Sequence, residues 1–98
     1  MVKKAIQIDE KDNVATVTGQ AIEGEALEIL NPEGAVILQT KTSEDLPFGH
    51  KIAIKDIGTG ANVVKYGEVI GAASQDIPAG RWVHTHNVKS VRMDTSEQ

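Results

Sequence analysis

A short pattern repeated along the chain limits what this sequence can fold into. Each copy reads Asp, an aliphatic residue, Pro or Gly, any residue, Gly, two variable residues and an aliphatic residue, and the clear copies begin at Asp45, Asp56 and Asp76. A fainter copy covers residues 20–27. The Pro or Gly starts a tight turn, and the later Gly permits a backbone conformation that a side chain would hinder. Because the copies begin 11 and then 20 residues apart, the pattern is not a solenoid period and instead predicts short strands joined by similar turns.

The segments between these turns have the length and alternation of β-strands. A hairpin is predicted over residues 26–40, because Asn-Pro-Glu-Gly at residues 31–34 has the residue types that a type I turn prefers. A short amphipathic helix over residues 21–30 is the alternative, although Gly24 would lie inside it. The fold class is therefore expected to be mainly all-β. The predicted strands cover residues 5–8, 14–17, 35–40, 51–54 and 82–86.

The size and composition predict a single domain over residues 1–98 with an aliphatic core. The chain is 40% hydrophobic but has one Trp, one Tyr and one Phe, so Val, Ile, Leu and Ala must fill the interior. With no cysteine, disulfides and thiolate metal sites are excluded. No apolar run has the length of a signal peptide or a membrane span, so we expect a cytoplasmic protein with no membrane partner. Residues 93–98 are polar and are expected to fray.

Charge is distributed unevenly along the chain. Residues 1–45 carry 4 basic and 9 acidic side chains, whereas residues 46–93 carry 6 basic and 3 acidic ones together with all three histidines. If the asymmetry has a function, a small anion should bind in the second half of the chain. Nucleic-acid binding is not expected, because a pI near 5.2 and three aromatic residues do not provide a basic stripe with stacking rings.

The residues best suited to chemistry are His50, His84 and His86. Residues two apart in a strand project on the same side, so the predicted strand places His84, His86 and Trp82 on one face. Two such imidazoles, about 7 Å apart along a strand, could bind one divalent ion. His50 could then be a third ligand or a general acid or base near neutral pH. The same spacing also fits half-exposed histidines on an edge strand that bind nothing.

Other motifs give weaker signals. Lys65 and Tyr66 supply an ammonium and a phenol that could bind a carboxylate, although such a pair at a turn is also an ordinary surface feature. Gly-Thr-Gly at residues 58–60 is not followed by the Lys-Ser/Thr and helix of a phosphate-binding loop. The serines lack a nucleophile-elbow motif, so acyl transfer is not supported.

Three motifs in fixed order resemble a known family. Leu-Pro-Phe-Gly-His-Lys-Ile-Ala at residues 46–53, Val-Lys-Tyr-Gly-Glu-Val-Ile-Gly at 64–71 and Trp-Val-His-Thr-His-Asn at 82–87 are similar to the SAF-type module of the altronate and galactarate dehydratases. The resemblance covers residues 44–90, whereas residues 1–43 match only in the rhythm of strands and turns. It implies a β-clip fold, in which short strands and hairpins form a compact, folded-over ribbon.

The resemblance also implies a function, namely the dehydration of a sugar acid such as altronate by a hydro-lyase. In that family the module adjoins a large catalytic region that depends on a divalent metal, iron or manganese. This chain then resembles a separate small subunit, inactive alone, whose partners are a large catalytic subunit and a small anionic sugar acid. The implied roles are catalysis for His50 and His86, metal binding for His84 and His86, and substrate binding for Lys51, Lys65, Tyr66 and Asn87.

Alternatives from other classes remain open. The module also resembles the alpha subunit of sulfolactate sulfo-lyase, in which sulfite leaves instead of hydroxide. SAF-type modules can also bind carbohydrate or serve as accessories, and then the histidines would bind no metal. A regulatory metal-binding protein is less well supported, because carboxylates do not accompany the histidines. A partner surface is expected at an exposed apolar patch including Trp82 and Val83.

Overall fold

The computed structural model of the protein describes residues 2–90, which leaves the predicted frayed tail at 93–98 outside the described residues. These residues form nine β-strands and no helix, so the all-β prediction is confirmed. No helix long and apolar enough to cross a membrane occurs in this part of the chain. The strands are β1 (Lys3–Ile6), β2 (Val14–Val17), β3 (Ala26–Leu30), β4 (Val36–Lys41), β5 (Lys51–Ala53), β6 (Asn62–Lys65), β7 (Glu68–Ala73), β8 (Trp82–Val83) and β9 (Val88–Lys89).

The strands form two sheets. The larger sheet has the order β4-β3-β1-β2-β5-β8, and the smaller one has the order β6-β7-β9. All neighbours are antiparallel except β1 and β3, which are parallel. Strands β5 and β8, which carry the candidate site, therefore lie at one edge of the larger sheet.

The predicted hairpin over residues 26–40 is confirmed as β3 and β4. Its turn is closed by a hydrogen bond from Gly34 N–H to the carbonyl of Asn31, at 2.9 Å. The Asn31 side-chain oxygen also accepts from the backbone N–H of Glu33 and Ala35. The helix considered over residues 21–30 is absent, because side chains along β3 alternate between buried and exposed positions, which is the periodicity of a strand.

The repeated turns pair two by two, as isolated bridges between their aliphatic residues. Ala21 and Leu46 exchange backbone hydrogen bonds of 2.9 and 2.7 Å, and Ile57 and Ile77 exchange two of 2.8 Å. The faint copy over residues 20–27 is therefore a full member of the repeat. Each copy has a glycine four residues after its first residue. These glycines have a φ of 84° to 95°, a region that side chains disfavour. These glycines are Gly24, Gly49, Gly60 and Gly80.

The aspartate that starts each clear copy binds the backbone of the paired turn. The Asp45 carboxylate accepts from Glu23 N–H at 2.8 Å, and Asp56 accepts from Ala79 N–H at 2.9 Å. Asp76 accepts from both the backbone N–H and the hydroxyl of Thr59, at 2.9 and 2.7 Å. The turns that begin at Asp56 and Asp76 are thus clamped from both sides, because the aspartate of each turn binds the backbone of the other. The other pair is clamped from one side, because the fainter copy has Gln20 instead of aspartate.

Within residues 2–90 the core consists of two aliphatic clusters, and their aliphatic composition is as predicted. Strands β2 and β5 contribute to both, because alternate residues face opposite sides of the sheet. Ala15 and Ile52 lie in the first cluster, whereas Val14 and Ala53 lie in the second. Trp82 packs against the first cluster from its edge. Strands β2 and β5 are therefore buried on both faces.

Two polar residues join the loop before β2 to the smaller sheet. The Asn13 side chain donates to Asn62 O at 2.9 Å and accepts from Val64 N–H at 2.8 Å. The Asp12 carboxylate, which is 0% exposed, accepts from the backbone N–H of Tyr66 and Gly67 at 3.1 and 2.8 Å. Both turn residues have a positive φ, 58° and 73°, so Asp12 stabilises the tip of the β6–β7 hairpin in a conformation that suits short hairpins.

Candidate functional site: a histidine cluster around Trp82

Two antiparallel strands bring the first pair of histidines together. In the β5–β8 register, Lys51 lies opposite Val83 and Ile52 lies opposite Trp82. Continuing that register by one residue places His50 opposite His84, and their ring centroids are 4.9 Å apart. The contact therefore follows directly from the pairing of two short strands.

The strand predicted over residues 82–86 is wrong beyond Val83, where β8 ends and the chain turns. The cause is the side chain of Asn87, which is 3% exposed. Its oxygen accepts from His84 N–H at 2.9 Å, and its amide donates to Trp82 O at 2.7 Å. The backbone N–H of Asn87 also donates to His84 O at 3.1 Å. Both ends of the Asn87 amide are thus used to hold the turn that carries His84 and His86.

All three histidines nevertheless contact Trp82, which lies at the centre of the cluster. The Trp82 ring centroid is 5.4 Å from that of His50, 5.3 Å from that of His84 and 5.4 Å from that of His86. The rings of Trp82 and His84 are stacked, with an interplanar angle of 15°. The side chains that were expected on one face of a strand are gathered by a turn instead.

A hydrogen bond between Trp82 and His50 assigns the tautomer of His50. The indole Nε1–H donates to His50 Nδ1 at 3.1 Å. Because an indole nitrogen only donates, Nδ1 carries no proton in this arrangement, and the neutral ring has its proton on Nε2. His50 therefore presents an N–H donor at Nε2.

His84 differs from His50 in its electrostatic surroundings. Partial burial lowers the pKa of His84 below its usual value of 6.5, and unfavourable charge interactions with His50, Lys51 and His86 lower it further. Both effects favour the neutral form of the His84 imidazole. A neutral ring has a free lone pair, which can accept a proton or bind a metal ion.

Lys51 and His84 line one cavity of about 280 Å³. Burial lowers the pKa of Lys51, and the nearby charge of Lys65 lowers it further. Within residues 2–90 the ion pairs are Lys3–Glu25 and Arg81–Glu44, so neither Lys51 nor Lys65 has an acidic partner there. The Lys51 ammonium in the cavity wall therefore suits a small anion. Its other lining residues are Ile70, Thr85, Val88 and Ser90.

The remaining candidate site residues, which are Lys65, Tyr66 and Asn87, differ in how deeply they are buried. The Lys65 ammonium is 4.9 Å from the centroid of the Tyr66 ring, at the hairpin tip held by Asp12. Tyr66 is 61% exposed and is not among the cavity-lining residues. Asn87 is buried beneath the turn. The structure thus brings His50, His84, His86 and Lys51 together, whereas Lys65, Tyr66 and Asn87 do not line the cavity.

The described histidines do not make a complete metal site by themselves. Within residues 2–90 no group of three or more His, Asp or Glu side chains is arranged to hold a metal ion. The Nδ1 atom of His50 is also engaged by Trp82. A divalent ion at this cluster would therefore need ligands from outside these residues.

Sequence reasoning missed the residues that brace the site. Glu44, just before the second turn copy, accepts from Trp82 N–H at 3.0 Å and pairs with Arg81 at 3.1 Å. The expected exposed patch at Trp82 and Val83 is wrong for Val83, which is 0% exposed because it faces the second core cluster. Asp12 was missed because an isolated aspartate in a polar loop is normally exposed.

Comparison with known proteins places these residues in a family context. The family model "Altronate/galactarate dehydratase SAF domain" matches residues 3–91. The match begins well before residue 44, so the relationship includes the first strands, where the motifs gave only a similar rhythm.

Individual relatives are lyases. The chain is 41% identical over 93 residues to altronate dehydratase of Escherichia coli (strain K12), an alignment covering 94% of this chain and 17% of that protein. It is 37% identical over 89 residues to altronate dehydratase of Bacillus subtilis (strain 168), covering 91% of this chain and again 17% of the relative. It is 44% identical over 55 residues to (2R)-sulfolactate sulfo-lyase subunit alpha of Chromohalobacter salexigens, covering 56% of this chain and 58% of that subunit. The chain thus spans only a small part of the altronate dehydratases that it matches.

Proposed function

Since the chain belongs to the altronate/galactarate dehydratase SAF domain family, we propose that it is a component of a hydro-lyase that removes water from a sugar acid such as altronate. The observation that carries this proposal is the Trp82-centred histidine cluster beside the positively charged cavity of Lys51. An anionic substrate, a neutral base and an N–H donor can meet there.

The reaction defines what the site has to supply. A base takes the proton from the carbon beside the carboxylate, and the electrons of that C–H bond form a C=C bond. The C–O bond at the next carbon breaks, and the hydroxyl leaves with a proton as water. Negative charge develops towards the carboxylate, so nearby cations lower the barrier. The resulting enol then rearranges to a 2-keto-3-deoxy acid.

The geometry suggests a role for each side chain. His84, whose lowered pKa favours the neutral ring, is proposed to accept the proton or to be a ligand of a metal ion. His50 is proposed to donate from Nε2 to a substrate oxygen, because Trp82 occupies its Nδ1. His86, which is exposed, is proposed to take part in catalysis or metal binding where the chain meets its partner. Lys51 and Lys65 are proposed to bind the carboxylate.

Asn87 and Tyr66 receive more indirect roles in this proposal. Both ends of the Asn87 amide are bonded within the chain, so we assign it the positioning of His84 and Trp82 instead of direct substrate contact. Tyr66 is proposed to reach the substrate only at the outer rim, through its phenol, beside Lys65.

A larger partner and a metal ion complete the proposal. The relatives named altronate dehydratase are about six times longer than the aligned segment, and the sulfo-lyase relative is itself named a subunit alpha. We propose that a separate large catalytic subunit supplies most of the chemistry and holds the divalent ion, iron or manganese. The incomplete ligand set of residues 2–90 supports this division. The chain is therefore expected to be inactive alone.

A sulfo-lyase is the second candidate. The 44% identity to a sulfolactate sulfo-lyase subunit alpha favours it, although that alignment covers a smaller part of this chain than the dehydratase alignments. The two functions differ in whether hydroxide or sulfite leaves. A third, non-catalytic role as a carbohydrate-binding accessory would leave the histidines without a part in turnover.

The test is to purify the tagged chain from its native host, identify what co-purifies and assay the complex with altronate, galactarate and sulfolactate. We expect activity only in the complex, and a loss of at least about 100-fold in the variants His84→Gln and His86→Ala. Lys55→Gln, an exposed lysine just beyond β5, is the matched control and should retain full activity. Full activity in both histidine variants, or an inert chain without a partner, would overturn the proposal.

A further inference from the structure

The outer edge of β4 is open, unlike the other sheet edges. Strands β4 and β8 end the larger sheet, and β6 and β9 end the smaller one. Strands β8 and β9 have two residues each, so they offer little backbone to another strand. The edge of β6 is occupied by the Asn13 side chain, which bonds to Asn62 O and Val64 N–H. Strand β4 has six residues, and no other strand among residues 2–90 pairs with its outer side.

The hydrogen bonds at the two ends of β4 show which backbone groups face that open side. The Ala35 carbonyl accepts a hydrogen bond from within the hairpin turn at 2.9 Å, and Thr42 N–H donates to Glu25 O on the β3 side at 3.1 Å. The N–H and C=O groups of successive strand residues point to opposite sides, so those of Val36 and Gln39 point outward. Such unpaired groups form a template for a further strand.

The side chains along this edge are apolar. Val36, Ile37 and Leu38 are exposed in succession, and residues 34–40 carry no charge. Exposed edge strands are usually protected by lysine, proline or a bulge. A bulge is present here, because Ile37 has no partner in the β3–β4 register, but it carries an exposed isoleucine instead of a charge. An open edge with these side chains has the character of an interface.

The length of the open edge limits what can bind to it. Beyond β4 the edge closes, because Ser43 N–H donates to Gly80 O at 2.9 Å. A strand that pairs with β4 must therefore turn away at that point. A second copy of the chain does so when the two β4 strands run antiparallel with Val36 opposite Gln39, because its own turn at residues 31–34 then falls there.

Charge complementarity supports the same arrangement. Antiparallel pairing brings Glu33 of each copy near Lys41 of the other, so the contact between opposite charges occurs twice. We infer that the chain forms a two-fold symmetric dimer in which β4 pairs with β4 of a second copy. This inference does not depend on the proposed function, because β4 and β8 are at opposite ends of the sheet order.

The mass of the full chain in solution tests this dimer. Sedimentation equilibrium at physiological ionic strength, which screens the repulsion between net charges of −4, should show the mass rising with concentration from 10.5 kDa towards twice that value. Val36→Lys places an ammonium in the interface and should raise the dimer dissociation constant at least about tenfold. Val69→Lys is the matched control and should have no effect. The two valines are 48% and 49% exposed, but Val69 lies on β7, which is paired on both sides.

Charge reversal tests the antiparallel orientation. Lys41→Glu and Glu33→Lys each place like charges together at both contacts, so each should raise the dissociation constant about fivefold. The double variant restores opposite charges in the reverse order and should recover the affinity of the unchanged chain. Amide exchange measured by NMR gives a second readout, because protection of the Val36 and Gln39 amides should increase with protein concentration.

Three results would each overturn the dimer. They are a monomeric chain at every concentration up to millimolar, equal effects of Val36→Lys and Val69→Lys, and a double charge variant no tighter than the single ones. Protection of the β4 amides only when a larger protein is bound would assign this edge to that protein and would also overturn it. The elimination assay on the purified complex is independent of all these results.

Discussion

The indole of Trp82 and the imidazole of His50, 32 residues apart in sequence, share a hydrogen bond of 3.1 Å from Nε1–H to Nδ1. The bond crosses the edge of the sheet where β5 pairs with β8. The tautomer of His50 therefore depends on the residue at position 82, because only a side chain with an N–H or O–H donor there would fix the same tautomer.

Trp82→Phe tests that link. The phenyl ring preserves aromatic packing but removes the donor, so we expect His50 to populate both neutral tautomers, as seen in its ¹⁵N chemical shifts. The free energy of unfolding should fall by about 1–2 kcal/mol from the lost bond and the smaller ring. His86, which touches Trp82 only through ring contact, is the internal control. Retention of a single His50 tautomer in the variant would show that another group fixes it.

The titration of His84 is the second prediction. Burial, followed by the charges of His50, Lys51 and His86, places its pKa in the folded protein below 6.5, and an NMR titration of the histidine resonances measures it. Since the unfolded chain then binds more protons than the folded one, this contribution to stability is complete above the unfolded pKa. It is lost as the pH falls through and below about 6.5.

Lys51→Gln provides the variant for this titration. Removing one of the neighbouring positive charges should raise the pKa of His84, although burial remains the larger cause. Lys55→Gln removes an exposed lysine that is not among those causes and should leave the titration unchanged. An unchanged His84 pKa in Lys51→Gln would mean that the two side chains do not interact across the cavity.

Asp12 is expected to contribute strongly to stability. Asp12→Ala leaves the backbone N–H groups of Tyr66, Gly67 and Asp9 without their carboxylate acceptor. We expect a loss of about 2–4 kcal/mol in urea unfolding, and a smaller loss in Asp12→Asn, which keeps one acceptor oxygen. Glu10→Ala, an exposed acidic residue in the same loop, should change stability by less than about 0.5 kcal/mol. Equal effects at positions 10 and 12 would contradict this assignment.

The repeated turns predict one stabilising substitution. By the pattern of Asp45, Asp56 and Asp76, an aspartate in place of Gln20 would accept from the backbone N–H of Phe48 and complete the first clamp. Gln20→Asp should raise the free energy of unfolding by about 0.5–1 kcal/mol. Gln20→Glu adds the same charge on a longer side chain and serves as the control. The clamp interpretation fails if both variants have the same stability.

The sequence predicts the local features of this fold well, because they depend on neighbouring residues. The β3–β4 hairpin follows from the residue types at positions 31–34, and the repeated turns follow from the placement of their glycines. The two-by-two pairing of the turns does not follow, since the pattern does not specify which copies meet.

The candidate site is predicted only in part. Its histidines were identified, but alternation along a strand gave the wrong local structure, because the side chain of Asn87 ends β8 after Val83. The role of Trp82 as a donor to His50 depends on a strand pairing between distant segments. Contacts of that kind, and the burial of Asp12 by a hairpin more than 50 residues away, have no local signature in the sequence.

The short length of β8 affects when the site forms during folding. Hairpins such as β3–β4 and β6–β7 join residues close in sequence, whereas the two-residue β8 must close a loop of about thirty residues to reach β5. We therefore expect the β5–β8 edge to assemble late in folding. In the folded protein, its few amides should exchange with solvent deuterium faster than those of β1 and β2, so the histidine cluster would open before the centre of the larger sheet.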